Sequence, residues 1–173
     1  MNKTMKKAFL MLALLVAPFA LQAQTKFHDV EANDAKGAVK SITTSVMGQG
    51  QTVTFTPEGK MQQEGLMDVQ YDADGYIQSA KVSAQGMEVA IKYTWENGRV
   101  ASQSMDTSMG SITTKNVYDD KGELVKTVMD FGGQAMESPY SDYKYDDKGN
   151  WISRKGSMMG QEMEQTRKIE YYE

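Results

Sequence analysis

The chain has 173 residues, with 19 Lys and Arg against 23 Asp and Glu, a formal net charge of −4, one His and no Cys. Without Cys there are no disulfides, thiol nucleophiles, zinc–thiolate sites or iron–sulfur sites. With His28 as the sole imidazole, a Ser-His-Asp triad or a multi-histidine metal site has almost no material, and the acidic balance argues against nucleic acid or an anionic membrane as partner.

The first residues read as a secretory signal peptide. Lys3, Lys6 and Lys7 form a basic start, Ala8 to Val16 an unbroken apolar run, and Ala23 a small cleavage residue. The apolar run is shorter than the roughly 20 residues of a membrane span, and no Cys follows to carry a lipid anchor. Cleavage after Ala23 leaves 150 of the 173 residues, about one domain, and loses three lysines, so the net charge falls to −7. The expected organisation is a signal peptide over 1–23, a polar leader over 24–35 and a single β-domain over 36–173. The expected location is the periplasm or the exterior, with no transmembrane segment after signal removal.

A repeat runs along the rest of the chain. Tyr71-Asp72-Ala73-Asp74-Gly75, Tyr118-Asp119-Asp120-Lys121-Gly122 and Tyr145-Asp146-Asp147-Lys148-Gly149 share one pattern. Phe55 to Gly59 is a degenerate copy, and Trp95-Glu96-Asn97-Gly98 is shorter by one residue. The glycine spacings, 16, 23, 24 and 27, make the repeat elastic. Asp and Asn accept hydrogen bonds from nearby backbone N–H groups and Gly adopts positive φ at no steric cost, so Gly59, Gly75, Gly98, Gly122 and Gly149 are read as structural turn residues. Asn97-Gly98 is the strongest hairpin signal.

A second set of turns, at Gly48 to Gly50, Gly65, Gly86, Gly110, Gly132-Gly133 and Gly160, alternates with the first. Between them the residues alternate in polarity. Met87, Val89, Ile91, Tyr93 and Trp95 share one parity; Met67, Val69 and Tyr71 do the same, as do Val53 and Phe55, and Ile169 and Tyr171. The pattern predicts about twelve strands, over 37–47, 50–56, 60–64, 66–71, 76–84, 87–95, 99–106, 111–118, 123–130, 134–145, 150–158 and 161–172. Pro139 predicts a bulge or kink in the tenth. The fold class is all-β: an antiparallel up-and-down meander built from hairpin repeats. So many strands with one apolar face must curl, becoming barrel-like, or pack in two layers, or pair with another chain.

The Tyr-Asp-x-x-Gly unit resembles the YD repeats of Rhs-type and teneurin proteins, best at Gly75, Gly122 and Gly149, with Asn150-Trp151 adding to the likeness. It covers roughly residues 50–173. In that family many such repeats build a large hollow β-shell. Five copies are too few for one, so the resemblance implies a β-meander and no particular activity.

Methionine is the most unusual feature. The Met residues after the signal lie near the second turn set, with Met61 ambiguous, whereas most aromatics flank the first. The meander is therefore expected to have an aromatic end and a methionine end. Met47, Met87, Met105, Met109, Met136, Met158, Met159 and Met163 form a candidate rim for an apolar ligand or a partner protein, since the thioether is flexible and polarizable. The same residues could plug the open ends of a loosely packed core. A third reading is Cu(I), through convergence of Met158, Met159 and Met163 with Met105 and Met109.

Other chemistry finds less support. The turn aspartates lack the further ligands of a calcium loop, no two carboxylates stand out as a hydrolytic pair, and an outer-membrane barrel would need an apolar outer band that Asn116 to Lys126 and Lys155 to Glu164 do not offer. The sequence points to an exported, non-enzymatic binding or interaction module without a cofactor. A carrier of an apolar or lipid-like ligand is the alternative, and a copper-binding protein ranks behind it.

Overall fold

The computed structural model describes residues 26–84, 87–107, 110–158 and 160–173. A one-turn helix, α1 (Asp29–Ala32), precedes β1 (Val39–Val46), β2 (Gln49–Phe55), β3 (Met61–Gln62) and β4 (Leu66–Tyr71). Then come β5 (Ile77–Ala84), β6 (Met87–Glu96), β7 (Arg99–Thr107) and β8 (Gly110–Tyr118). The chain ends with β9 (Leu124–Phe131), β10 (Gln134–Tyr145), β11 (Trp151–Met158) and β12 (Gln161–Tyr171). Twelve strands were expected, and their bounds fall within two residues of the expected ones at every end.

The repeated turns share one hydrogen-bond scheme. Oδ1 of Asp72 accepts from the N–H groups of Asp74 and Tyr76 at 3.0 and 2.9 Å. Asp119 does the same for Lys121 and Glu123, and Asp146 for Lys148 and Asn150. In the degenerate copy Thr56 replaces Asp, its Oγ1 accepting from Lys60 N–H at 3.3 Å. The repeat is thus an aspartate whose carboxylate ties down a four-residue turn that glycine closes. Asn97 and Gly98, with φ of 52° and 72°, make the two-residue hairpin that twisted antiparallel strands favour.

All strands join one sheet in the order β3-β2-β1-β12-β11-β10-β9-β8-β7-β6-β5-β4. Every neighbour is antiparallel, and β1 pairs with β12 through Ile42↔Ile169 and Thr44↔Arg167. That first-to-last pairing curls the meander into a nearly closed barrel. The seam lies between two strands adjacent in sequence. β3 covers only Thr54 and Phe55 of β2, and β4 pairs only with β5.

Two bulges depart from the expected alternation. Asp68 and Asp142, both in the left-handed region with φ of 50° and 53°, are extra residues in β4 and β10. Each forms an ion pair with a lysine of the neighbouring strand, Lys81 at 2.7 Å and Lys155 at 3.0 Å. The bulge at Asp68 reverses parity, so Leu66 points inward with Val82 while Met67 sits opposite Lys81 on the outside. The expected grouping of Met67 with Val69 and Tyr71 is corrected here. The irregularity expected at Pro139 falls at Asp142 instead, and Pro139 stays in register with Lys126.

The leader is the main surprise. Residues 26–36 enter the barrel at the aromatic end and stop it. Phe27 N–H bonds to the Glu58 carbonyl and His28 N–H to that of Gly75. Val30 and Ala35 are buried with Val39, Ile42 and Phe55 in the principal core cluster. An eight-stranded barrel is about filled by its own side chains, whereas twelve strands enclose more space than inward residues can occupy. The plug fills one end of that excess. Most of the buried residues lie at this end: Phe55, Ile77, Val100, Leu124 and Trp151 each stand at or next to the end of a strand beside the first turn set.

Candidate functional site

The plug leaves the rest of the lumen open, and its two walls differ. On β4 to β7, Leu66, Val82, Val89, Ile91, Tyr93 and Met105 point inward and line a cavity of about 510 Å³. Its floor is Ala32 and Asn33 of the plug, and it reaches Met61, Gln63 and Gln51 at the seam. Along β6 the inward Val89, Ile91, Tyr93 and Trp95 are only half-buried, while Glu88, Lys92 and Thr94 face out. A packed core would have covered those inward side chains.

The facing wall, on β10 to β12 and β1, is cationic and aromatic. Arg154, 8% exposed, has its guanidinium carbon 3.8 Å from the Tyr140 ring centre and 4.1 Å from that of Trp151. Arg167 lies 3.7 Å from the same Trp151 ring. Such cation–ring contacts gain strength where water is excluded. Gly156 makes room for the stack, because a Cβ there would stand 3.2 Å from the Tyr140 ring. Arg154 donates through Nε to Gln165 Oε1 at 2.8 Å and through Nη1 to the Tyr143 hydroxyl at 3.1 Å. Arg167 donates through Nε to Thr44 Oγ1 at 3.3 Å and through Nη1 to the Asp34 carbonyl at 3.0 Å.

Asp34 belongs to the plug and ties it to this wall. Its Oδ2 accepts from Trp151 Nε1 at 2.8 Å and lies 3.6 Å from Arg154 Nη1. Burial pulls the Arg167 guanidinium down to about 10, with Asp34 opposing and the like charge of Arg154 adding to the fall. It remains charged at neutral pH. Burial raises the Tyr143 hydroxyl to about 12 despite the favourable charge and hydrogen bond of Arg154.

The plug's other polar anchor is Asp29. One carboxylate oxygen accepts from Met61 N–H and the Tyr71 hydroxyl, each at 2.7 Å, while Oδ1 is buried without a partner. Burial raises its pKa, against these hydrogen bonds and the charge of Lys60.

The methionines are dispersed around this lumen. Met87 is 66% exposed at the mouth of the 510 Å³ cavity and Met105 lies deeper on the same wall, paired with Ile91 and Ile112. Met136 sits opposite Met129 on β10 and β9, and Met163 opposite Gly156. Met47 occupies the β1–β2 turn and is 79% exposed. Met61 joins the plugged end instead, packed against the core cluster. Met109, Met159 and the Met158 side chain lie outside the described residues. Of the methionines in the copper reading only Met105 and Met163 have described side chains, and they stand on β7 and β12, separated by β8 to β11 in the sheet. Among the described residues no cluster of His, Asp and Glu could hold a metal.

The first turn set is placed as expected: Gly59, Gly75, Gly98, Gly122 and Gly149 all have positive φ. What the sequence reading missed is the cationic wall. Arg167 carried a signal, since it shares parity with Ile169 and Tyr171 and so had to point inward. Arg154 carried none, because the irregular pairing of β10 with β11 brings both Trp151 and Arg154, three residues apart, to the inside.

No family model matches the chain, and no curated protein matches it either. Any functional reading rests on the geometry.

Proposed function

We propose that the protein is an exported, non-enzymatic binding protein that holds an apolar small molecule in its lumen. The observation that carries this reading is the 510 Å³ cavity lined by Leu66, Val82, Val89, Ile91 and Met105. Its volume falls in the range of small-molecule sites, about 300–1,000 Å³, which are mostly apolar with a few fixed polar groups. The exposed Met47, Met87, Met129, Met136 and Phe131 supply an adaptable apolar rim. Export follows from the signal-like start, and the YD-like hairpin unit supplies the scaffold. The outer faces carry charged residues such as Glu88, Lys92, Lys155 and Glu164 at exposed strand positions, which suits an aqueous exterior rather than lipid. Among the described residues no helix is long and apolar enough to cross a membrane.

Titration with the uncharged fluorophore N-phenyl-1-naphthylamine tests the reading. One saturable, blue-shifted site is expected, weakened about tenfold or more by Ile91→Trp, which fills the cavity. Absence of saturable binding, or binding indifferent to Ile91→Trp, would overturn it.

A further inference from the structure

Resting on that reading of the lumen, we propose that the ligand is an anionic amphiphile: one apolar chain with a carboxylate or sulfate head, received by Arg154 and Arg167. The first argument is charge. Two guanidiniums share the Trp151 ring, and among the described residues Asp34 is the only carboxylate with an ion pair to either. Taking a charge out of water costs several kcal/mol unless a partner compensates it, so the wall carries one uncompensated positive charge that a ligand anion would neutralise. Arginine keeps that charge across the physiological range.

The second argument is valence. Each guanidinium has two terminal nitrogens, and in both residues Nη1 and Nε are engaged as described. The Nη2 groups have no partner among the described residues, and neither is sealed from solvent. The four N–H groups of these two inward-facing residues therefore have no partner among the described residues, a number that suits the several acceptor positions of a carboxylate or sulfate.

The third argument is placement. Gln51, Thr44 and Arg167 stand side by side on β2, β1 and β12, as the pairs Thr44↔Gln51 and Thr44↔Arg167 show. Gln51 also lines the apolar cavity. A chain lying against Val89 and Ile91 can thus place its head across Gln51 and Thr44 on the arginines. The site is also preorganised, with Tyr140, Trp151 and Gln165 holding the guanidiniums before any ligand arrives.

The test is displacement of N-phenyl-1-naphthylamine from the mature protein by decanoate, decanol and decyltrimethylammonium at neutral pH, with Arg167→Met and Arg154→Met measured beside it. Decanoate is expected to bind about tenfold or more tighter than decanol, as charge-assisted hydrogen bonds require, and the cation weakest. Arg167→Met should bring decanoate to the level of decanol and leave decanol unchanged. Equal binding of all three by the unmodified protein would overturn the head-group assignment while the lumen reading stands. If the fluorophore itself finds no site, both readings fall. The comparison of ligands on the unmodified protein decides the matter even if an arginine variant does not fold.

Discussion

The two ends of the barrel are built from the same hairpins and behave as opposites. At the aromatic end, Asp-type turns meet an inserted leader, and Phe55, Ile77, Val30 and Val39 are almost wholly buried. At the methionine end, two-residue turns such as Met47-Gly48 and Gly132-Gly133 stand free, and Met47, Met87 and Phe131 are exposed. The contrast separates two roles in one sheet. Stability is concentrated where the plug completes the core, and the other end stays open because no segment of the described chain fills it.

Two phenylalanines give the largest test of this division. Phe55→Ala, at a residue 1% exposed, is expected to cost about 3–5 kcal/mol through cavity formation. Phe131→Ala, at 41% exposure, should change stability by about 0.5 kcal/mol or less. Urea unfolding of both variants checks this, and equal losses would break the division.

Gly75 and Gly133 sharpen it, since their φ values of 89° and 91° are nearly identical. A Cβ on Gly75 would lie 2.0 Å from the Lys26 carbonyl oxygen of the plug, while one on Gly133 meets nothing within 4 Å. Gly133→Ala should cost only the backbone strain, about 1–2 kcal/mol. Gly75→Ala should cost more and should also loosen the leader, read as faster proteolysis near residue 26.

Asp29 adds a pH dependence to the plugged end alone. Its folded pKa is raised, chiefly by burial, so the folded state holds the proton more tightly than the unfolded chain. That contribution is complete below the ordinary carboxylate pKa and is lost as pH rises through the folded value. Asp29→Asn should flatten this decline in a series of melting temperatures taken from acidic to neutral pH. A slope unchanged by the substitution would remove Asp29 as its source.

The smallest effect is expected at the open end. Met47 adopts φ of 52°, as Asn97 does in the equivalent turn. Asparagine tolerates that conformation better than methionine, so Met47→Asn should stabilise by about 0.5–1 kcal/mol, read as a small rise in the denaturation midpoint.

Much of this architecture was legible beforehand because hairpin chemistry is local. An aspartate three residues before a glycine can only tie its own turn, and a period of two assigns faces without knowledge of the partner strand. Legibility failed where pairing became irregular. The bulge at Asp68 turned Met67 outward, and the one between Ser141 and Lys144 moved the kink away from Pro139. The leader was opaque for another reason: Phe27, Val30 and Ala35 show no period, because a plug conforms to its cavity instead of extending a lattice.

The candidate site shows the same boundary. The methionine end and its turns were visible as residues clustered along the chain, whereas Arg154, Arg167 and Asp34 meet across as many as 133 positions of sequence. The sequence by itself determined the strands, the Asp and Asn-Gly turns, the alternating faces and the polarity of the two ends, since each depends on neighbours within a few residues. Tertiary structure alone decided that β1 closes on β12, that the leader stops one end, and that two arginines share one tryptophan and both reach Asp34, one at its carboxylate and one at its backbone carbonyl. Those outcomes depend on how far twelve strands must curl before their edges meet, and on what then remains to fill the space inside.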